Sequence, residues 1–182
     1  MIDTRYEPHI RFLTPEEVNT LLASAKSERD YVLLRTLLYA GLRAQEVAYL
    51  RYIDINPYEK TISVVGKGHK FRTVYVDAET ISHIERYVRN NKIHPESPLF
   101  KITTNVQVWR IVRDTAKRAG IKKRVTPHVL RHTFAIMTLR KTKNIKFLQQ
   151  QLGHASLDTT QVYLKYASFE EERKLIQGGL YS

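Results

Sequence analysis

Between residues 128 and 163 the chain places His128, Arg131, His132, His154 and Tyr163 in two stretches, HVLRHTF and LGHASLDTTQVY. Histidine and arginine are poor core material, so such a group either meets around a ligand or is scattered in solvent. Thr126 and Pro127 open a helix here, with Thr126 as N-cap and Pro127 at its first position. His128 and Arg131 then lie one turn apart at the positive end of that helix. Backbone N–H groups beside an arginine fork suit a phosphate, although on spacing alone His128 equally caps or packs. His128 and His132 also have the i, i+4 spacing of metal ligands. Zinc needs a third ligand, and Arg131 between the two repels a cation, so no metal is expected.

Arg43, in GLRAQEV, follows a helix break at Gly41 and emerges from a short corner at the start of the resumed helix. Glu46, one turn later, either braces a basic neighbour or forms an ordinary surface pair. Lys67 stands between Gly66 and Gly68 at the tip of a hairpin. There it can reach into a groove and donate a proton, or simply be an exposed turn lysine. The P-loop pattern is absent around it, which removes nucleotide hydrolysis. Tyr163 is one of 11 tyrosines and means little outside its setting.

The elements that position these residues are mostly helices. Thr14, Pro15 and Glu17 form a capping box ahead of a first helix, and ERDYVLLRTLLYAG predicts a second, largely buried one closing at Gly41. TISVV and RTVYV are short β-branched runs around GKGHKF and predict the hairpin. Asp77 caps a helix through AETISHIERYVRNN, and NVQVWRIVRDTAKRAG predicts another with Gly120 as its stop. The His128 helix follows, then IKFLQQQLG, LDTTQVYLKYA and a terminal FEEERKLIQ helix. The opening ten residues are polar and expected to be extended.

At 182 residues the chain suits one domain, able to bury about 70% of its unfolded surface. It carries 30 Lys and Arg against 18 Asp and Glu, a net charge of +12, which favours a polyanionic partner. Two basic runs, with Lys117, Arg118, Lys122, Lys123 and Arg124 in one and Arg140 and Lys141 in the other, bracket the His128 helix. They point to a phosphate-facing surface. The absence of cysteine excludes disulfides and thiolate chemistry and fits a reducing, cytoplasmic interior. No apolar run approaches the length of a membrane span.

GLRAQEV, GKGHKFR, TPHVLRHTFA and LGHASLDTTQVY, in this order, resemble the catalytic domain of the tyrosine recombinases, in their Xer and phage-integrase branch. The resemblance runs from about Thr14 to Ala167 and implies an α+β fold, mostly helical, with a small antiparallel hairpin or sheet. It implies Arg43 and Arg131 as phosphate-clamping arginines, Lys67 as the hairpin lysine, His128 and His154 as site histidines and Tyr163 as nucleophile. Glu46 matches a supporting acidic position. A serine is common in the family where Gln45 stands. Residues 1–182 are expected to form a single catalytic domain without the helical DNA-clamping domain that most members carry. The implied reaction is site-specific recombination of double-stranded DNA through a 3′-phosphotyrosyl link and a free 5′-hydroxyl, with no metal, ATP or other cofactor. His128 is a plausible proton acceptor, though the resemblance does not settle which group serves, and Lys67 suits the acid for the 5′-oxygen. Self-association is expected as a tetramer on DNA through the C-terminal helix. Two alternatives stay open: a DNA-binding module without cleavage, and relaxation like that of a type IB topoisomerase.

Overall fold

The computed structural model describes residues 11–65, 71–153 and 163–164. The opening ten residues, Lys67 at the hairpin tip, His154 and most of the two C-terminal helices expected from sequence lie outside this set.

Local chemistry sets the helix ends. Helix α1, Pro15–Ala23, starts with the expected reciprocal cap: Thr14 Oγ1 accepts from the Glu17 amide, and the Glu17 carboxylate accepts from the Thr14 amide at 2.8 Å. Helix α2, Glu28–Ala40, is capped by Ser27 and buries Val32, Leu33, Leu34, Leu37, Leu38 and Ala40. It is the central helix, touching α1 and three later helices. Each buried leucine contributes about 2 kcal/mol by its removal from water, which outweighs the modest helix propensity of the segment.

Gly41 ends α2 in the left-handed region at φ +62°, and the chain turns at once into α3, Ala44–Ala48. A Cβ at Gly41 would stand 2.2 Å from the ring of Phe134. Gly41→Ala therefore combines a disfavoured backbone with an overpacked contact, and is expected to cost at least about 2 kcal/mol in urea unfolding.

A short 3-10 turn at Tyr52–Asp54 leads into a three-stranded antiparallel sheet of β1, Ile55–Asn56, β2, Thr61–Val65, and β3, Phe71–Tyr75, in that order. Ile62 lies opposite Val74, and both face the core with Val64. The sequence predicts the β2–β3 hairpin. The edge strand β1 adds Ile55 opposite Ile62 and is too short to carry a β pattern of its own.

Helix α4, Ala78–Asn91, follows the Asp77 cap, and α5 spans Asn105–Arg118. Helix α6, Pro127–Thr142, begins at Thr126, whose hydroxyl accepts from the Val129 amide. Helix α7, Ile145–Leu152, ends at Gly153. The main core joins α1 through α5, the sheet and the first turn of α6. A second core lies between α6 and α7, built from Phe134, Ala135, Ile136, Leu139, Leu148 and Leu152, and it includes Tyr163. Helix α6 serves both cores, burying Val129, Leu130, Phe134, Ala135, Ile136 and Leu139. The architecture is the mostly helical one expected, with a small antiparallel sheet. Among the described residues no helix is long and apolar enough to cross a membrane.

Candidate active site

Arg131 occupies the junction of three helices. Its guanidinium donates to the carbonyl oxygen of Gly41, at the end of α2, and to that of Leu152, at the end of α7, at 2.5 Å. Both acceptors belong to helix C-termini, whose carbonyls are unsatisfied and carry partial negative charge. This is why a cation that is only 4% exposed is tolerated at that point. Burial, then the charge of Arg43, brings the Arg131 pKa down to about 10, so it stays charged at neutral pH. One residue therefore closes the corner that presents Arg43 and anchors the end of α7.

The second group is centred on Glu46. Arg43 donates to its carboxylate from both the backbone amide, at 2.8 Å, and the side chain, at 3.0 Å. Arg72 grips both carboxylate oxygens, at 2.7 and 2.8 Å, and also donates from Nε to the Gln151 carbonyl. The Gln151 side chain in turn bonds the amide and carbonyl of Tyr75, so α7 is stitched to β3 along its edge. Gly153 is required here: a Cβ would meet Arg72 Cδ at 2.7 Å, with the backbone at φ +65°. Glu46 is thus a buried brace, resolving the choice that spacing left open. Arg43 keeps 40% of its side chain exposed, available to a ligand above the brace.

Burial alone would raise the Glu46 pKa, but the hydrogen bonds and charge of Arg72, then the amide and charge of Arg43, hold it below the usual value. A carboxyl whose folded pKa is depressed stabilises the fold above its unfolded pKa and loses that contribution as pH falls through the folded one. Wild-type stability should therefore fall below about pH 4.5. Glu46→Gln should be less stable at pH 7 by about 3 kcal/mol, because half-buried Arg72 keeps one neutral acceptor in place of a carboxylate, and should lose less across the acid window. Urea unfolding at several pH values reads both.

Tyr163 is packed in the α6–α7 core at 4% exposure, and its hydroxyl shares a 2.7 Å hydrogen bond with His132 Nδ1. Burial raises the pKa of the phenol, while the Arg131 charge opposes that rise. His128 lies one turn toward the start of α6, exposed, with its ring centroid 6.0 Å from that of His132. Both histidines line a cleft of about 310 Å³ together with Arg11, Trp109 and Arg124. The described residues hold no group of three His, Cys, Asp or Glu side chains placed to share a metal ion.

Of the expected site residues, the structure therefore brings Arg43, Glu46, Arg131 and Tyr163 to one region, with His128 at its outer edge. Lys67 and His154 are outside the described set. The basic runs divide. Lys117, Arg118, Lys122, Arg124 and Lys141 are exposed, whereas Lys123 is held by Glu17 at 2.7 Å and by the Phe12 carbonyl. Arg118 is tied to the Ser24 carbonyl and to Thr115, and Arg140 lies over the Phe12 ring at 5.4 Å.

Two contributors carry no role in the sequence motifs. Arg72 shares the inward face of β3 with Val74, and that alternation in RTVYV was the available signal for its burial. His132 has only the i, i+4 spacing to His128 to mark it, and its contact with Tyr163 depends on tertiary packing that spacing does not report.

Residues 11–169 match the model of the phage integrase family. A tyrosine recombinase of Pseudothermotoga lettingae is 39% identical over 176 residues, covering 92% of this chain and 62% of that protein. The tyrosine recombinase XerA of Pyrococcus horikoshii is 35% identical over 179 residues, covering 91% of this chain and 62% of that protein. The chain thus spans about 62% of the length of these relatives. The crystal structure of XerA recombinase superposes with a TM-score of 0.81 at 32% identity, over 95% of this chain and 67% of that one. A post-cleavage complex of XerH site-specific recombinase with a palindromic difH substrate gives 0.78 at 25% identity, over 92% of this chain and 54% of that one. The chain belongs to the phage integrase family, with the fold of a tyrosine-recombinase catalytic domain.

Proposed function

We propose that this chain is the catalytic part of a site-specific DNA recombinase, cleaving and rejoining double-stranded DNA through a phosphotyrosine. The observation that carries this reading is the placement of Tyr163 on the α6 face beside Arg131, in a chain of this family. The tyrosine oxygen attacks a backbone phosphorus, a P–O bond to Tyr163 forms, and the bond to the 5′-oxygen breaks. The phenolic proton must leave and the 5′-oxygen must gain one. Arg43 and Arg131 neutralise the charge that develops on the non-bridging oxygens, a contribution of several kcal/mol in such sites, roughly 3 per donor. His128 is the proposed proton acceptor, exposed where a phosphate can reach it. Lys67 is proposed to protonate the 5′-oxygen, and His154 to hydrogen-bond the phosphate. The product is a 3′-phosphotyrosyl link and a free 5′-hydroxyl, so the bond energy is kept for rejoining.

The exposed basic residues Lys117, Lys122, Arg124 and Lys141 are proposed to face the DNA backbone, with Arg118, Lys123 and Arg140 beside them. Assembly as a tetramer on DNA in the cytoplasm is proposed with them. The solved complexes of XerH with difH DNA support a DNA partner for this fold.

Incubation with a nicked suicide duplex bearing the proper site should give a covalent protein–DNA band, equally strong with EDTA, since no step calls for a metal. A band that disappears with EDTA and returns with added magnesium contradicts the reaction as drawn. DNA binding without any covalent band favours a module that has lost cleavage.

A further inference from the structure

We propose that His132 is a positioning residue that holds the Tyr163 phenol retracted in the α6–α7 core until DNA is engaged. The proposal rests on Tyr163 being the nucleophile. Its first support is burial. At 4% exposure, packed among Phe134, Leu148 and Leu152, the phenol has almost no surface at which its oxygen could touch phosphorus, whereas the equally buried Arg131 acts through its charge; attack therefore calls for the phenol to move outward. The 2.7 Å bond to His132 Nδ1 belongs to the retracted arrangement and must break in that movement.

The second support is chemical. Burial, then the neighbouring His128 and Arg131, lowers the His132 pKa to about 4, so the imidazole is neutral at physiological pH. Its Nδ1 can then accept from the phenol, whose own pKa is raised by burial, without removing the proton. Such a pair orients the tyrosine and keeps it in its un-nucleophilic form.

The third support is the division between the two histidines of α6. His128 is exposed at the cleft, where a phosphate can be met, and His132 lies one turn deeper, on the tyrosine. Two histidines at i, i+4, which looked like a metal pair, are thus assigned separate tasks: one at the reacting surface and one on the stored nucleophile.

The test begins with the DNA-free chain. N-acetylimidazole acetylates accessible phenols, and mass spectrometry of the Tyr163 peptide gives the rate. His132→Phe keeps a ring of similar size and removes the acceptor, so Tyr163 should be acetylated about fivefold faster, the weight of one net hydrogen bond. His132→Asn places an acceptor near the position of Nδ1 and should return the rate toward wild type. Should His132→Phe fail to fold by circular dichroism, His132→Leu takes its place against the same asparagine control. Single-turnover capture of a suicide duplex by the phenylalanine or leucine variant should also be faster than wild type. Unchanged acetylation in a folded variant overturns the proposal. So does a fall in DNA capture of about a hundredfold, which would make His132 the proton acceptor of the reaction itself. The acetylation arm needs no DNA, so a wild-type chain that fails to capture DNA would count against the recombinase reading and leave that arm standing.

Discussion

Arg131→Ala is expected to abolish covalent capture of DNA and, unlike Arg43→Ala, to cost the fold about 3 kcal/mol or more. The guanidinium serves two masters. Toward the protein, it satisfies the Gly41 and Leu152 carbonyls, which cap two helix ends in a buried junction. Removing it strands both acceptors, and each buried unsatisfied group costs about 1–3 kcal/mol. Toward the substrate, it neutralises charge on the phosphate, and loss of one such donor typically slows reaction about 10²–10³-fold. Arg131→Lys keeps the charge, but a point ammonium lacks the planar fork that meets two divergent carbonyls. It should recover part of the stability while cleavage stays reduced by about a hundredfold. Arg43→Ala supplies the contrast. Its side chain is 40% exposed, so capture should be lost with a much smaller shift in the urea midpoint. Equal stability losses for Arg43→Ala and Arg131→Ala would show that the junction is not held as described.

Tyr163→Phe should eliminate the covalent complex to the limit of detection while leaving the fold and DNA binding in place. Phenylalanine fills nearly the same volume in the α6–α7 core, so packing among Phe134, Leu148 and Leu152 survives. The hydroxyl's bond to His132 is lost, a change of about 1 kcal/mol or less. No other atom of the side chain can form a phosphoester, so the reaction has no partial substitute. Tyr166, three residues further along in QVYLKYA, is the neighbouring alternative, and Tyr166→Phe should leave capture largely intact because the resemblance assigns the nucleophile to Tyr163. A variant at residue 163 that binds DNA normally and still captures it would place the nucleophile elsewhere.

The helix boundaries were legible in the sequence because they are set within a few residues. Thr14, Asp77 and Thr126 each accept from an amide three residues on, and Gly41 and Gly153 adopt left-handed backbones that end α2 and α7. The hairpin was equally local, and β1 pairs with the nearby β2 but, at two residues, is too short to show an alternation. The site is less local. The family resemblance marked Arg43, Arg131 and Tyr163, but not that Arg131 is spent on two helix ends or that Arg72 completes the grip on Glu46. Nor could it show that Lys123, within a run read as DNA-facing, is held by Glu17. These are long-range contacts, and their partners lie far away in sequence. Glu46 illustrates the limit well: its i, i+3 spacing to Arg43 fitted a surface pair, and only the arrival of Arg72 from β3 makes it a buried brace.

The most direct measurement is the chemical identity of the link between protein and DNA. The wild-type chain is trapped on a nicked suicide duplex in EDTA, digested with trypsin, and the nucleotide-bearing peptide is sequenced by mass spectrometry. A 3′-phosphate esterified to Tyr163, with a free 5′-hydroxyl on the released strand, is the predicted result. An adduct on Tyr166, or strand breaks with no protein attached, would contradict it.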